Sequence, residues 1–239
     1  MIGAIRLERC LMPRLYVVFD LDDTLYPERQ FALAGFRAAA RWAETEFGVT
    51  GLSEEMAGLL DVGMLGKLFA TVLARHVPNH TPNHLLAFRE AYRNCDRPEL
   101  ELFEDAVHAL DHYQRLGPIG LITDGTLAVQ MKKVRALGIE ERFAKIVYTD
   151  ALGADRAYFK PHRRPYETMS EALGHPSDRY VYVGDNPAKD FVAPNAMGWV
   201  SVLVHRDHPR IHDVARIAPG GAPQHTVRSL RELTDILGA

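Results

Sequence analysis

The chain has only two cysteines in 239 residues, Cys10 and Cys95. A disulfide framework and a cysteine zinc site are excluded. No apolar run approaches the ~20 residues of a membrane span. Residues 1–15 carry Arg6, Glu8, Arg9 and Arg14 and lack the apolar block of a signal peptide. There is no basic excess: a net charge of −3 and a pI near 6.4 leave no electrostatic footprint for nucleic acid or an anionic membrane. Repeats, low-complexity tracts and flexible linkers are also missing. What remains is ordinary globular composition, 47% hydrophobic and 25% charged. The length suits one large domain or a domain with a sizeable insertion. The expectation is a soluble cytoplasmic protein without nucleic-acid or membrane partners, its oligomeric state left open. Met12-Pro13-Arg14 precedes the first strand pattern, so residues 1–11 read as a dispensable extension.

Strand-type apolar runs recur at 15–19, 119–123, 145–148, 179–183 and 199–204. Several are near-continuous rather than alternating, as in strands covered on both faces. Helical patterns at 126–137, 164–173 and 187–197 separate the last four, ending before Gly138, Gly174 and Gly198. The alternation predicts an α/β fold, a Rossmann-like, doubly wound parallel sheet. Residues 27–116 break this rhythm. They show helical patterns at 30–47, 53–60, 65–76, 84–94 and 104–116, punctuated by Pro78, Pro82 and Pro98. The expected division is a core of 12–26 and 117–239 with an inserted α-helical cap of 27–116. A short strand and a final helix are expected near 227–237.

Three strand ends and one loop carry the polar residues. The first run ends in Asp20-Leu21-Asp22-Asp23-Thr24, the second in Thr123-Asp124-Gly125. The fourth ends in Gly184-Asp185-Asn186, with Asp190 close behind, and Lys160-Pro161 lies between. Taken alone, the first cluster also reads as a surface turn. In open α/β sheets, however, ligands bind at the carboxyl ends of strands, which gathers these groups at one edge. Clustered carboxylates without nearby cysteine or histidine suit Mg²⁺ better than zinc. A lysine there neutralises phosphate and carboxylate alike. A threonine hydroxyl and the N–H groups of a Thr-Asp-Gly turn hold phosphate oxygens. A carboxylate acts as a covalent nucleophile, and a second acid kept protonated donates to a leaving oxygen.

On these residues, in this order, the chain resembles the haloacid dehalogenase (HAD) superfamily of phosphohydrolases. The resemblance covers the core, about two-thirds of the chain; the cap matches in placement alone. It implies that Asp20 is the nucleophile and Asp22 the general acid, then base. It implies that Thr123 binds phosphate, aided by backbone amides near Asp22, Asp23, Asp124 and Gly125. Lys160 would orient Asp20 and stabilise negative charge. Asp20, the Asp22 main-chain carbonyl and Asp185 would ligate Mg²⁺, with Asp190 holding its water shell or Lys160. The expected activity is hydrolysis of a small phosphomonoester, a sugar phosphate or nucleoside monophosphate, through phospho-Asp20. The alternatives are a phosphomutase of the phosphoglucomutase-like type and a non-catalytic binding module. Asp22 and Asp185 together favour phosphoryl transfer over carbon–halogen cleavage.

Other residues read more plainly. Asp23 is expected to shape the turn. Gly63, Gly66 and Lys67 read as a helix-joining turn. Phe36, Trp42 and Phe47 read as cap core. Tyr26 and Glu28 either reach the leaving group or do not. His205, His208, His212 and His225 read as surface residues, and Arg163 and Arg164 as a solvated loop.

Overall fold

The computed structural model describes residues 14–64, 66–96, 100–174, 178–208 and 216–238. Its centre is a six-stranded sheet of β1 (Leu15–Phe19), β2 (Gly120–Thr123), β3 (Lys145–Tyr148), β4 (Arg179–Gly184), β5 (Val200–Val204) and β6 (His225–Val227). The spatial order is β3-β2-β1-β4-β5-β6, and every pairing is parallel. The fold class is therefore α/β and Rossmann-like. β1 lies between β2 and β4, where the chain's direction of travel across the sheet reverses. A crevice opens at the carboxyl ends of the strands at such a switch point.

Strand side chains alternate between the two faces. Tyr16 and Val18 of β1 join a cluster with Ile122, Val147 and Tyr182, while Val17 and Phe19 join another with Leu121, Val181 and Val202. Both clusters are covered, which is why the strands read as unbroken apolar runs.

Four helices follow β1: α1 (Glu28–Phe47), α2 (Leu52–Asp61), α3 (Leu68–His76) and α4 (Pro82–Asn94). They have an apolar cluster of their own. Ala32, Phe36, Ala39 and Ala43 form one stripe of α1 and meet Met56, Val72 and Phe88. Trp42 and Phe47 pack against this cluster, as cap-core residues should.

The remaining helices are α5 (Glu104–Leu116), α6 (Leu127–Ala136), α7 (Arg164–Leu173), α8 (Val192–Ala196) and α9 (Leu233–Leu237). The stripe Ala106, Ala109, Leu110 and Tyr113 of α5 is buried with Val17, Phe19 and Leu121 of the sheet. This stretch, read from sequence with the insertion, thus shares its core with the sheet. Helical periodicity shows that a face is buried but not against what.

Two local expectations change. The helix read at 187–197 begins only at Val192. Before it, the Asn186 carbonyl accepts the N–H groups of Lys189 and Asp190, and the Asp190 carboxylate accepts the Asn186 N–H at 2.8 Å. A turn closed by its own side chains replaces the first helical turns. Gly174 is extended rather than left-handed. Its requirement is space: a Cβ there would lie 2.5 Å from the Tyr16 ring. Residues 1–11 lie outside the described residues.

Candidate active site

Asp20 follows the last residue of β1, and its N–H extends the ladder to the Val183 carbonyl at 2.8 Å. The backbone then turns sharply. Asp23 has φ 54, and its N–H bonds the Tyr26 carbonyl at 3.0 Å. That amide, expected to help hold phosphate, is spent inside the turn. The Asp23 carboxylate accepts the Glu28 N–H at 2.9 Å, capping α1, and meets His208 Nε2 at 2.9 Å. Asp23 therefore shapes the turn, as expected. His208 is not a surface residue; it is mostly buried against the turn. His205 and His225 are exposed, and His212 lies outside the described residues.

Asp20, Lys160, Asp185 and Asp190 are all buried. Lys160 Nζ donates to Asp20 Oδ1 at 2.6 Å and to the Tyr182 hydroxyl at 3.0 Å, and lies 2.8 Å from Asp190 Oδ1. Burial works against its charge, but Asp190 and Asp20 outweigh that and hold its pKa well above the usual lysine value. Burial pushes the Asp20 carboxyl up to about 6, against opposition from Lys160. Asp185 is pushed well above the carboxylate range by burial, then by the charges of Asp190 and Asp20.

Asp20, Asp185 and Asp190 each offer a carboxylate oxygen within 4.8 Å of the others. Asp20 Oδ2 has no hydrogen-bond partner among the described residues. Buried acids that repel one another around an unsatisfied oxygen form an all-oxygen donor set that fits a hard divalent cation.

Asp22 has separate partners. Its Oδ1 accepts from the Tyr26 hydroxyl and from Lys133 Nζ, each at 2.7 Å, and Oδ2 accepts from Gln130 Nε2 at 2.9 Å. Burial disfavours its charge, yet Lys133 and these hydrogen bonds prevail and hold its pKa below the ordinary value. The expectation of an acid kept protonated by its surroundings is thus reversed: this environment favours the carboxylate. Extended geometry ends at Asp20, so Asp22 meets a different cation from its neighbour two positions earlier.

Thr123 ends β2, buried, with its hydroxyl bonded to Gln130. Asp124 Oδ1 accepts from Thr149 at 2.8 Å and from the Lys160 N–H at 3.1 Å, so its side chain anchors the lysine loop. Gly125 has φ 131, and a Cβ there would lie 3.0 Å from the Gln130 amide. Asp22, Asp124, Gly125, Lys160 and Asp185 line a cleft of about 540 Å³ between the sheet edge and the helices α1 and α4. Glu28 lines it and pairs with Lys133, while Tyr26 supports Asp22. Arg163 and Arg164 pair with Glu167 and Glu171 on α7.

Sequence reasoning missed Gln130, Lys133 and Tyr182. A signal existed for two of them. Gln130 and Lys133 fall on the stripe of α6 that holds buried Val134, where apolar residues are expected.

An aspartate at a strand end, a buried lysine and a carboxylate triad at the switch point form the kind of site expected of a haloacid dehalogenase-type hydrolase. The haloacid dehalogenase-like hydrolase family model matches residues 16–198, and the chain belongs to that family. It is 29% identical over 230 residues to the glyceraldehyde 3-phosphate phosphatase of Methanopyrus kandleri, covering 92% of this chain and 96% of that one. It is 26% identical to the ribulose-1,5-bisphosphate 5-phosphatase of Halopiger xanaduensis, covering 92% and 98%. Among solved structures, the magnesium-bound HAD-hydrolase YfnB of Bacillus subtilis shares the fold, with a TM-score of 0.67 at 18% identity, covering 95% of this chain and 100% of that one.

Proposed function

We propose that this enzyme is a Mg²⁺-dependent phosphatase that hydrolyses a sugar phosphate through phospho-Asp20. One observation carries the reading: Asp20 is held by Lys160 through Oδ1 while Oδ2, beside Asp185 and Asp190, has no partner among the described residues. The phosphatase relatives support the reaction class, and their substrates support a phosphorylated sugar.

Asp20 attacks phosphorus as the ester bond to the leaving oxygen breaks, and Asp22 delivers a proton to that oxygen. Because the surroundings of Asp22 favour its charged form, Asp22 takes that proton from solvent as the substrate dianion binds, the dianion's charge raising the affinity of Asp22 for a proton. In the second step Asp22 takes a proton from water, which attacks phospho-Asp20 and frees inorganic phosphate. The Thr123 hydroxyl and the amides of Asp124 and Gly125 hold the phosphoryl oxygens, and Lys160 balances their charge. Asp20, Asp185 and Asp190, with the Asp22 carbonyl, would hold Mg²⁺, which supplies charge neutralisation when bound.

The helices α1 through α4 act as the lid over the cleft, with α5 assigned to the core whose apolar cluster it shares. The lid is thus shorter than residues 27–116. The test is phosphate release from glyceraldehyde 3-phosphate and a panel of sugar phosphates, with and without EDTA. Mg²⁺-dependent release that Asp20→Asn abolishes is expected. Absence of release across the panel overturns the reading.

A further inference from the structure

A lysine and a glutamine sit on the buried face of α6, three residues apart and almost free of solvent, Gln130 at 1% and Lys133 at 3% exposure. Burying an ammonium is costly unless it is paired, so a lysine at this place calls for a task. Lys133 Nζ donates to Asp22 Oδ1 at 2.7 Å and to Glu28 Oε1 at 3.0 Å, and lies 4.8 Å from the centre of the Phe31 ring. Gln130 has two amide protons. One goes to Asp22 Oδ2 and the other to the Thr123 hydroxyl.

We propose that Gln130 and Lys133 are positioning residues that lock the Asp22 carboxylate at a set distance from the phosphate-holding hydroxyl of Thr123. The proposal rests on the phosphatase reading above. An ionised carboxylate has about four acceptor directions. Tyr26, Lys133 and Gln130 fill three of them, which leaves one, on Oδ2, for a reacting atom. The carboxylate therefore cannot rotate without breaking a bond on each oxygen. Gln130 spans the two catalytic groups with a single amide, so proton transfer and phosphate binding share one ruler. Glu28 opens α1, the first helix over the cleft, so Lys133 also ties the Asp22 site to the lid.

The role predicts a dependence on the leaving group. A nitrophenolate departs without a proton, whereas a sugar alkoxide needs one. Values of kcat/KM are compared for p-nitrophenyl phosphate and glyceraldehyde 3-phosphate in Gln130→Met and Lys133→Met, with melting temperatures alongside. The loss on the sugar phosphate is expected to exceed the loss on the aryl ester by about tenfold or more, within the span of general acid catalysis. In an Asp22→Asn background the same substitutions leave the ratio of the two esters unchanged. Equal losses on both esters, or a further change of ratio in that background, would overturn the proposal. Lys133→Met leaves Asp22 and Glu28 facing each other; where that chain fails to fold, Gln130→Met, which changes no charge, decides alone. Wild-type protein inactive on both esters with Mg²⁺ would instead overturn the phosphatase reading.

Discussion

Lys160 Nζ stands 2.6 Å from Asp20 Oδ1, and neither side chain reaches solvent to a useful degree. The same ammonium lies 2.8 Å from Asp190. One cation thus restrains two acids that would otherwise repel each other across a dry site. Removing one partner of such a buried group leaves the rest uncompensated, at about 3–5 kcal/mol. Lys160→Met is expected to destabilise the metal-free protein by that order and to cut kcat by about a hundredfold or more. Urea unfolding in EDTA and steady-state turnover check the two effects separately. Added Mg²⁺ should recover part of the stability, since it binds the folded state alone.

Stability without metal should fall as pH rises. The Asp20 carboxyl is pushed up to about 6 in the folded protein, from an ordinary value of 3.8. Its contribution is complete below the lower value and is lost as pH rises through the upper one. Asp185, raised by burial and its acidic neighbours, acts in the same sense. Asp22 acts in the opposite sense, but its window lies below the ordinary carboxylate value. In EDTA the melting temperature is expected to drop between about pH 4 and 6.5, and Asp20→Asn should flatten the slope. An undiminished slope in that variant would place its origin elsewhere.

Gly184 sets the position of Asp190. A Cβ at Gly184 would lie 2.6 Å from Asp190 Oδ2. Gly184→Ala is expected to displace this carboxylate from the triad and weaken Mg²⁺ binding by about tenfold or more. Calorimetric titration with Mg²⁺ reads the change, and unchanged affinity would count against Asp190 as part of the cation site.

Gly174 offers the contrasting case, far from the cleft. A Cβ there meets the Tyr16 ring at 2.5 Å and the Tyr16 hydroxyl at 2.6 Å. Tyr16 also stacks on Tyr180, ring centres 5.1 Å apart, so it has little room to retreat. Gly174→Ala should cost about 1–3 kcal/mol of stability and leave kcat/KM of the folded enzyme within about twofold. A selective loss of activity would link that end of the sheet to the site.

His208→Ala should loosen the turn after Asp20. It removes the bond to Asp23 at 2.9 Å and the edge contact with the Phe103 ring. A loss of about 1 kcal/mol is expected from the hydrogen bond, read as a lower denaturation midpoint. Arg206 still bonds the Thr24 carbonyl at 2.9 Å, so the turn should persist.

The legible parts of the site were those that end strands. Asp20, Thr123 and Asp185 follow apolar runs, and strand ends are marked by an abrupt change in residue type. Lys160 was legible through its loop and its neighbour Pro161, and Asp190 through the Gly184-Asp185-Asn186 stretch. The partners of Asp22 were not. Gln130 lies 108 residues from it and Lys133 lies 111, on a helix whose pattern shows a buried stripe but not what faces it. Asp23 and His208, 185 residues apart, meet for the same kind of reason.

By itself the sequence determined the alternation of strand and helix, the parallel sheet, the helical stretch after β1 and the acids at the strand ends. These follow from local periodicity and from the rule that crevices form at strand ends. The tertiary structure alone decided which cation each acid meets, that the partners of Asp22 favour its charged form, and that α5 packs with the sheet. Those outcomes depend on distances between elements far apart in the chain, and such distances are set by packing in three dimensions rather than by residue type.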